Sequence, residues 1–283
     1  MSRHTRVAGI VGWPARHSLS PRLHGFWLRE HRVDGAYIPL PVRVTDFSAA
    51  LAGFRAAGLA GVNVTIPHKH AAYAIAQRCD EASRIAGAAN LLLFREDEIE
   101  ARNTDIAGLQ ASLVAECGPD AFRGIRVVVL GAGGAARAAV LACDALKPAE
   151  IFVLNRTERR AATVVHNLDG FVSAKSASGG LEMWDEVGPT TSLVIHATSA
   201  GMDGTAPLAL DLCLLPADAL VCDLVYRPLE TPLLAQARHL GLRRIDGLGM
   251  LMHQAVPAFE AFYGIRPGVT EGLRAELEQA LRE

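Results

Sequence analysis

The chain has 283 residues, 50% apolar and 20% charged, so it is long enough for two globular domains with separate cores. Its net charge of −2 offers no basic field, so neither nucleic acid nor a membrane is expected as a partner. The amino terminus shows no signal-peptide hydrophobic stretch, and no apolar run has the length of a membrane span. The five cysteines form no CxxC pair, which favours reduced thiols and a cytoplasmic protein.

The first hundred residues alternate strand and helix signals. Strands are predicted at 7–11, 37–42 and 61–66, helices at 47–57 and 68–78, and a hairpin from 91–94 and 99–102. A further helix is predicted to begin with Ser20 as its N-cap and Pro21 at its first position. Strands separated by helices favour an α/β domain with a mainly parallel sheet covered on both faces.

A second α/β unit begins at Arg126. Val127–Leu130 is a continuous apolar run, typical of a strand buried on both faces, and an alanine-rich helix to about Leu146 follows it. Strands are also predicted at 151–154, 193–197, 220–226 and 243–245, and helices at 231–240, 250–262 and 271–281.

The loop after the first strand of this unit is rich in glycine: Gly131, Ala132, Gly133, Gly134, Ala135 and Ala136. A bare G-x-G-x-x-[GA] string is a weak signal, but here a strand precedes it, a helix follows, and another strand completes a βαβ unit. The glycines allow a tight turn and close approach of a pyrophosphate, which the helix N-terminus attracts. The sequence therefore predicts a Rossmann-type dinucleotide site, with a ligand-free glycine turn as the less favoured alternative.

The end of the next strand indicates which dinucleotide is bound. An NAD site usually places Asp or Glu there, whereas this chain has Asn155, Arg156 and Thr157, with Arg160 close behind. A guanidinium binds a 2′-phosphate that a carboxylate would repel, so NADP(H) is predicted. The alternative is a solvated, arginine-rich start of a helix.

Polar residues in the first 105 positions cluster where predicted strands end or helices start. Ser18 and Ser20 flank a turn that can hold a carboxylate, and Lys69 begins a helix, where the helix dipole disfavours a cation. Asn90 and Asp105 follow the same pattern at other element ends. Taken singly, these are an N-cap, a solvated lysine and a helix cap; together they predict a neutral-to-cationic pocket for a small polyhydroxylated acid.

These blocks together resemble the shikimate dehydrogenase family over nearly the whole chain. The matching motifs are SLSP at 18–21, NVTxPxK at 63–69, GAxN at 87–90, NTD at 103–105, GAGGA at 131–135, NRT at 155–157, ATSxGM at 197–202, DxVYxP at 223–228 and DGLGMLxxQA at 246–255. The resemblance implies NADPH-dependent, reversible reduction of 3-dehydroshikimate to shikimate in aromatic amino-acid biosynthesis. It also implies a substrate domain of residues 1–106 and 248–283, a Rossmann NADP-binding domain of residues 107–247, and an active site in the cleft between them. A homodimer is left open.

The resemblance also implies a role for individual residues. Lys69 and Asp105 are expected to be the catalytic pair, with no metal. The expected substrate-binding residues are Ser18, Ser20, Thr65, Lys69, Asn90, Asp105, Tyr226 and Gln254. The expected cofactor-binding residues are Gly131, Ala132, Gly133, Gly134, Ala135, Asn155, Arg156, Thr157, Arg160, Thr198, Leu224, Gly247 and Met250.

Three positions depart from the usual family pattern. Leu91 stands where Thr usually follows Asn90, His196 replaces an Asn before Ala197, and Ile106 follows Asp105 where Gly is usual. Quinate/shikimate dehydrogenases and a non-catalytic NADP sensor on the same scaffold are the competing interpretations. A metal hydrolase is disfavoured, because the ten histidines include no HExxH spacing.

Overall fold

A computed structural model describes residues 5–15 and 18–283. The chain forms two compact units: residues up to Thr104 together with Gln254–Glu283, and Asp105–His253. Within the described part of the chain, none of the helices combines the length and the apolar character needed to cross a bilayer. All five cysteines are free thiols, as predicted.

The helices and strands follow one another along both units. The strands are β1 (Arg6–Gly12), β2 (Gly35–Pro41), β3 (Gly61–Val64), β4 (Arg78–Cys79), β5 (Leu91–Phe94), β6 (Ile99–Arg102), β7 (Arg126–Leu130), β8 (Glu150–Leu154), β9 (Lys175–Gly179), β10 (Leu193–His196), β11 (Leu220–Asp223) and β12 (Arg243–Ile245). The helices are α1 (Ser20–Glu30), α2 (Phe47–Ala56), α3 (Lys69–Ile75), α4 (Glu81–Ala86), α5 (Asp105–Cys117), α6 (Gly134–Asp144), α7 (Glu158–Leu168), α8 (Trp184–Val187), α9 (Pro232–His239), α10 (Gly247–Tyr263) and α11 (Glu271–Arg282).

The sheet of the first unit has the order β2-β1-β3-β5-β6-β4. Its pairs β1–β2, β1–β3 and β4–β6 are parallel, and the predicted hairpin β5–β6 is antiparallel, as is β3–β5. Helices α10 and α11 supply part of the core: Phe259 packs edge-on against Trp27 of α1, with 5.3 Å between ring centroids. Both rings are fully buried, so α10 completes the packing of α1.

Two sequence-based expectations in this unit are wrong. The helix expected over 68–78 ends at Ile75, and Arg78–Cys79 instead forms β4 against β6. Ser20 is not the cap of α1 but its first residue, preceded by Leu19, which makes no capping side-chain bond. Ser18 takes part of that role, since its Oγ accepts the Ser20 N–H at 3.2 Å.

The second unit contains a wholly parallel sheet in the order β12-β11-β10-β7-β8-β9. The chain runs from β7 outward to β9, then returns to β10 on the other side of β7. This reversal makes the β7–β10 edge a topological switch point, where α/β sheets bind dinucleotides beyond the carboxyl ends of their strands. Leu130 pairs with both Leu154 and His196, so the ends of the three central strands lie level.

Candidate functional site

In the first unit, a buried network of amides and hydroxyls follows the ends of β5 and β6. Asn90 Oδ1 accepts the Thr104 N–H at 2.8 Å, and Asn90 Nδ2 donates to Thr104 Oγ1 at 2.9 Å. Gln254 Oε1 accepts from both residues at 3.3 Å. Asn90 and Thr104 are only 3% and 4% exposed. The structure therefore brings Asn90 and Gln254, predicted from motifs far apart in sequence, into direct contact.

The network continues beneath Asn90 through two residues that were not predicted as partners. Asn63 Nδ2 donates to the Asn90 carbonyl at 3.1 Å, and the Tyr37 hydroxyl donates to Asn63 Oδ1 at 2.8 Å. Burial raises the pKa of Tyr37 well above its usual value, with the neighbouring Tyr263 contributing in the same direction and a hydrogen bond with Ser20 opposing both. Tyr37 is thus a neutral hydroxyl that links Ser20 to the Asn90 network.

Ser18 and Ser20 lie where the sequence predicted, at the start of α1. Ser18 is half-buried and Ser20 is buried, and the Ser18 Oγ–Ser20 N–H bond fixes the turn between them. Two hydroxyls beside a helix start can bind a carboxylate without placing a full positive charge there.

Thr65 and Lys69 flank the connection from β3 to α3. Both are half-buried, and Lys69 is the first residue of α3. Its carbonyl accepts the Ala89 N–H at 2.9 Å, which ties the helix start to the strand that carries Asn90. A built Cβ at Gly12 would lie 2.4 Å from Thr65 Cγ2, so the lack of a side chain there makes room for Thr65.

Asp105, the other predicted catalytic residue, begins α5 in the second unit. It is 7% exposed and directly follows Thr104 of the Asn90 network. A carboxylate in the first turn of a helix is favoured by the helix dipole.

The glycine loop of the second unit has the geometry of a phosphate cradle. Gly131 has φ +121°, and a built Cβ there would lie 2.9 Å from the Ala197 carbonyl oxygen. Gly133 and Gly134 have no heavy atom within 4 Å of a built Cβ, so the backbone at the start of α6 faces open space. Ala136 is fully buried against the sheet. A dinucleotide fits here, because unscreened backbone N–H groups of a helix start meet space that a pyrophosphate can occupy.

The end of β8 carries the predicted 2′-phosphate residues. Arg156 and Thr157 are exposed in the turn that leads into α7, and Arg160 is exposed in the first turn of that helix. Asn155 fixes that turn by donating from Nδ2 to the Thr157 carbonyl at 2.9 Å. The position at which an NAD site has a carboxylate is thus occupied by a neutral amide with arginines beside it.

Of the remaining predicted cofactor residues, Thr198 and Leu224 follow β10 and β11, and Gly247 and Met250 lie in the first turn of α10. Position 247 leaves no room for a side chain, since a Cβ built on Gly247 would lie 2.3 Å from the Leu224 carbonyl oxygen. Thr198 and Met250 are half-buried, as is Tyr226, which was predicted to bind the substrate. The structure thus brings Leu224 and Gly247 together, as expected for residues that line one pocket.

Sequence reasoning missed a buried group at this edge of the second sheet. His196, Asp223 and Thr231 are each at most 1% exposed and are joined by hydrogen bonds, with Thr198 at one end. The only sign of this group in the sequence was that His196 stands where the family usually has asparagine. Among the described residues, no group of three or more His, Cys, Asp or Glu side chains is placed to hold a metal ion.

Comparison with known proteins gives consistent matches. The family model "Shikimate dehydrogenase substrate binding domain" matches residues 10–92. "Shikimate dehydrogenase (NADP(+))" of Mesorhizobium japonicum is 45% identical over 275 residues, covering 97% of this chain and 96% of the relative.

Solved structures agree over the whole length. A shikimate dehydrogenase in complex with NADP+ superposes with a TM-score of 0.89 at 29% identity, covering 99% of this chain and 96% of the other. Shikimate 5-dehydrogenase from Thermus thermophilus, in complex with NADP(H) and shikimate, gives 0.84 at 31% identity, covering 98% and 99%. The likeness therefore extends over both units.

Proposed function

The chain belongs to the shikimate dehydrogenase family, and on that premise we propose that Lys69 and Asp105 are the pair that moves the proton in its reaction. It is an NADP-dependent oxidoreductase that interconverts 3-dehydroshikimate and shikimate, a step of aromatic amino-acid biosynthesis. The assignment of its sites rests on one observation: the same chain contains a buried amide–hydroxyl network and a phosphate cradle with arginines beside it.

Substrate binding is assigned to residues of complementary polarity. Ser18 and Ser20 bind the carboxylate, while Thr65, Asn90, Asp105 and Gln254 bind the ring hydroxyls and Tyr226 closes the site. Asn90 and Gln254 are already hydrogen-bonded to each other, so their amides are oriented before the substrate arrives. Such preorganisation lowers the entropy that binding and reaction must otherwise cost.

Different segments at the carboxyl ends of the strands in the second sheet bind different parts of the cofactor. Gly131, Ala132, Gly133, Gly134 and Ala135 hold the pyrophosphate. The segment from Asn155 to Arg160, which includes the start of α7, holds the adenosine 2′-phosphate, with Arg156 and Thr157 as its main contacts. Thr198, Leu224, Gly247 and Met250 line the nicotinamide end. When bound, NADPH supplies the hydride for reduction.

The proton step follows from the charge that develops on the substrate. As hydride reaches the ketone carbon, negative charge builds on the ketone oxygen, and Lys69 donates a proton to it. In the oxidation direction, Lys69 accepts that proton from the hydroxyl. Asp105 is the proposed partner of Lys69 in this step.

The experiment that tests this function follows NADPH absorbance with the purified protein, supplying shikimate or quinate together with NADP or NAD. Rapid reduction of NADP with shikimate, and slow reduction in the three other combinations, is expected. Comparable kcat/KM for quinate would establish a broader quinate/shikimate enzyme. Tight NADPH binding without turnover of either acid would refute the catalytic assignment and favour a sensor.

Location and assembly stay predictions. A cytoplasmic location is expected, and cell fractionation with activity in the soluble fraction tests it. Size-exclusion chromatography with light scattering distinguishes a monomer from the homodimer that the family resemblance leaves open.

A further inference from the structure

His196 is the centre of a hydrogen-bonded chain that joins the ends of β10 and β11. Its Nδ1 lies 2.9 Å from Asp223 Oδ1, and its Nε2 lies 2.6 Å from Thr198 Oγ1. Beyond Asp223, the Thr231 hydroxyl donates to Asp223 Oδ2 at 2.6 Å. All of these residues belong to the second unit, and His196 and Asp223 are neighbours in the parallel register.

The surrounding bonds determine the direction of the protons that reach Asp223 from Thr231 and Val225. Thr231 Oγ1 accepts the Leu234 N–H at 3.2 Å, so its own proton goes to Asp223. Asp223 Oδ1 also accepts the Val225 N–H at 3.0 Å. With His196 in the tautomer that carries its proton on Nδ1 and donates it to Asp223 Oδ1, Nε2 is an acceptor.

Thr198 therefore meets His196 as a donor. The only hydroxyl proton of Thr198 is directed to His196 Nε2, while its oxygen accepts the Ala200 N–H at 3.0 Å. The remaining lone pair of Thr198 Oγ1 can then only accept a hydrogen bond. These hydrogen bonds thus fix the rotamer of Thr198 and leave its hydroxyl oxygen as an acceptor for a further hydrogen bond.

The position of Thr198 places this hydroxyl beside the dinucleotide cradle. A Cβ built on Gly131 would lie 3.0 Å from Thr198 Cγ2. Since β10 and β8 lie on opposite sides of β7, the two halves of a dinucleotide extend to opposite sides of the glycine loop. Arg156 follows β8, on the adenosine side, and Thr198 follows β10, on the nicotinamide side.

We propose that His196 is a positioning residue for the cofactor: through Thr198 it presents a fixed hydrogen-bond acceptor to a donor on the nicotinamide riboside, either a carboxamide N–H or a ribose hydroxyl. The inference rests on the proposed NADP site and adds a residue to it. Asparagine, usual in the family at position 196, has an amide that can replace Nδ1 toward Asp223 but has no atom in the place of Nε2.

A double-mutant cycle with Thr198→Val, His196→Asn and the two combined tests the proposal. The dissociation constant of NADPH is measured by fluorescence titration without substrate. Loss of one neutral hydrogen bond is expected to weaken binding about fivefold in Thr198→Val. His196→Asn is expected to weaken it about threefold, and the double variant to match Thr198→Val, because His196 acts through that hydroxyl.

Control variants separate positioning from general stability. Thr198→Ser retains the hydroxyl and should restore most of the affinity, and Thr190→Val removes a hydroxyl that bonds the Val187 carbonyl before β10 and should change nothing. If the NADPH dissociation constant of the double variant rises by the product of the two single-variant factors, the two residues act independently and the proposal is overturned. A protonated Nε2 on His196 in the ¹⁵N spectrum of the wild-type protein, a measurement that needs no variant to fold, would also overturn it.

A cofactor analogue identifies the donor. The NADP analogue with acetylpyridine in place of nicotinamide carries no amide N–H. If Thr198→Val weakens NADP but not this analogue, the donor is the carboxamide; equal weakening of both indicates the ribose. If the wild-type protein binds NADPH but does not oxidise shikimate, the proposed function is refuted, while the double-mutant cycle still tests the role of His196. If the wild-type protein does not bind NADPH, both the proposed function and the role of His196 are overturned.

Discussion

Glu100 is expected to stabilise the first unit in a pH-dependent way. It lies on β6 with its side chain only 7% exposed, and three arginines surround it: Arg78 at 2.6 Å, Arg95 at 2.9 Å and Arg102 at 2.6 Å. Burial raises the pKa of Glu100, but the hydrogen bonds from Arg102, Arg95 and Arg78 outweigh it and lower the pKa from 4.5 to about 2. Glu100→Gln removes the charge and keeps the shape.

The magnitude follows from that lowered pKa. A fall from 4.5 to about 2 corresponds to about 3 kcal/mol of folding free energy at about 1.4 kcal/mol per tenfold change. The arginine side chains are 36% to 57% exposed, and solvent screening of these partners reduces the expected contribution to about 2 kcal/mol. Because the folded-state pKa is depressed, the contribution is complete above pH 4.5 and is lost as the pH falls toward 2.

Urea unfolding of the wild type and Glu100→Gln at pH 7, 4 and 3 measures this contribution. The wild type should be more stable by about 2 kcal/mol at pH 7, and the difference should shrink by about half or more by pH 3. Glu98→Gln is the matched control, since Glu98 is more exposed and its ion pair with Arg78 is longer, at 3.4 Å. A difference that stays constant over this range would refute the reasoning, because a loss of packing does not titrate.

Three further substitutions test the proposed sites. Lys69→Ala should lower kcat by about 10²- to 10⁴-fold with little change in KM for shikimate, and unaltered turnover would exclude it as the proton donor. Arg156→Ala should raise KM for NADPH about tenfold or more while leaving that for NADH nearly unchanged; equal effects would show that no 2′-phosphate is bound there. Gly247→Ala should cost about 1–3 kcal/mol in unfolding free energy and weaken NADPH binding, because its Cβ would collide with the Leu224 carbonyl. Gly53→Ala, in a helix with open space around the new methyl, is its control and should stabilise slightly.

The parts of the fold that sequence could predict are those whose signals are local. The apolar run before Gly131 and the glycines after it identified β7, the loop and α6, because strand burial and turn geometry both constrain nearby residues. The hairpin β5–β6 was predicted for the same reason. By contrast, β4 and β9 form through pairing with β6 and β8, and their sequences, RC and KSASG, carry little strand propensity of their own.

The candidate site shows the same division. Motifs identified Asn90 and Gln254 separately, but their contact across 164 positions is visible only in the fold. The bonds of His196 to Asp223 and of Asp223 to Thr231 depend on the register between β10 and β11 and on the start of α9. In the sequence, only the replacement of the usual family asparagine by His196 indicated this position. Its hydrogen-bond partners were identified only from the tertiary structure.

The division of the chain has a consequence for biosynthesis. The second unit is encoded without interruption, whereas the first needs Gln254–Glu283, which leave the ribosome after the whole of the second unit. Until Phe259 emerges, Trp27 lacks the ring that packs against it. Since domains fold as units during synthesis, the second unit can fold on the nascent chain while the first unit must wait for Gln254–Glu283. Released chains that end at His253 should therefore resist protease in the later half and remain open to cleavage in the earlier one.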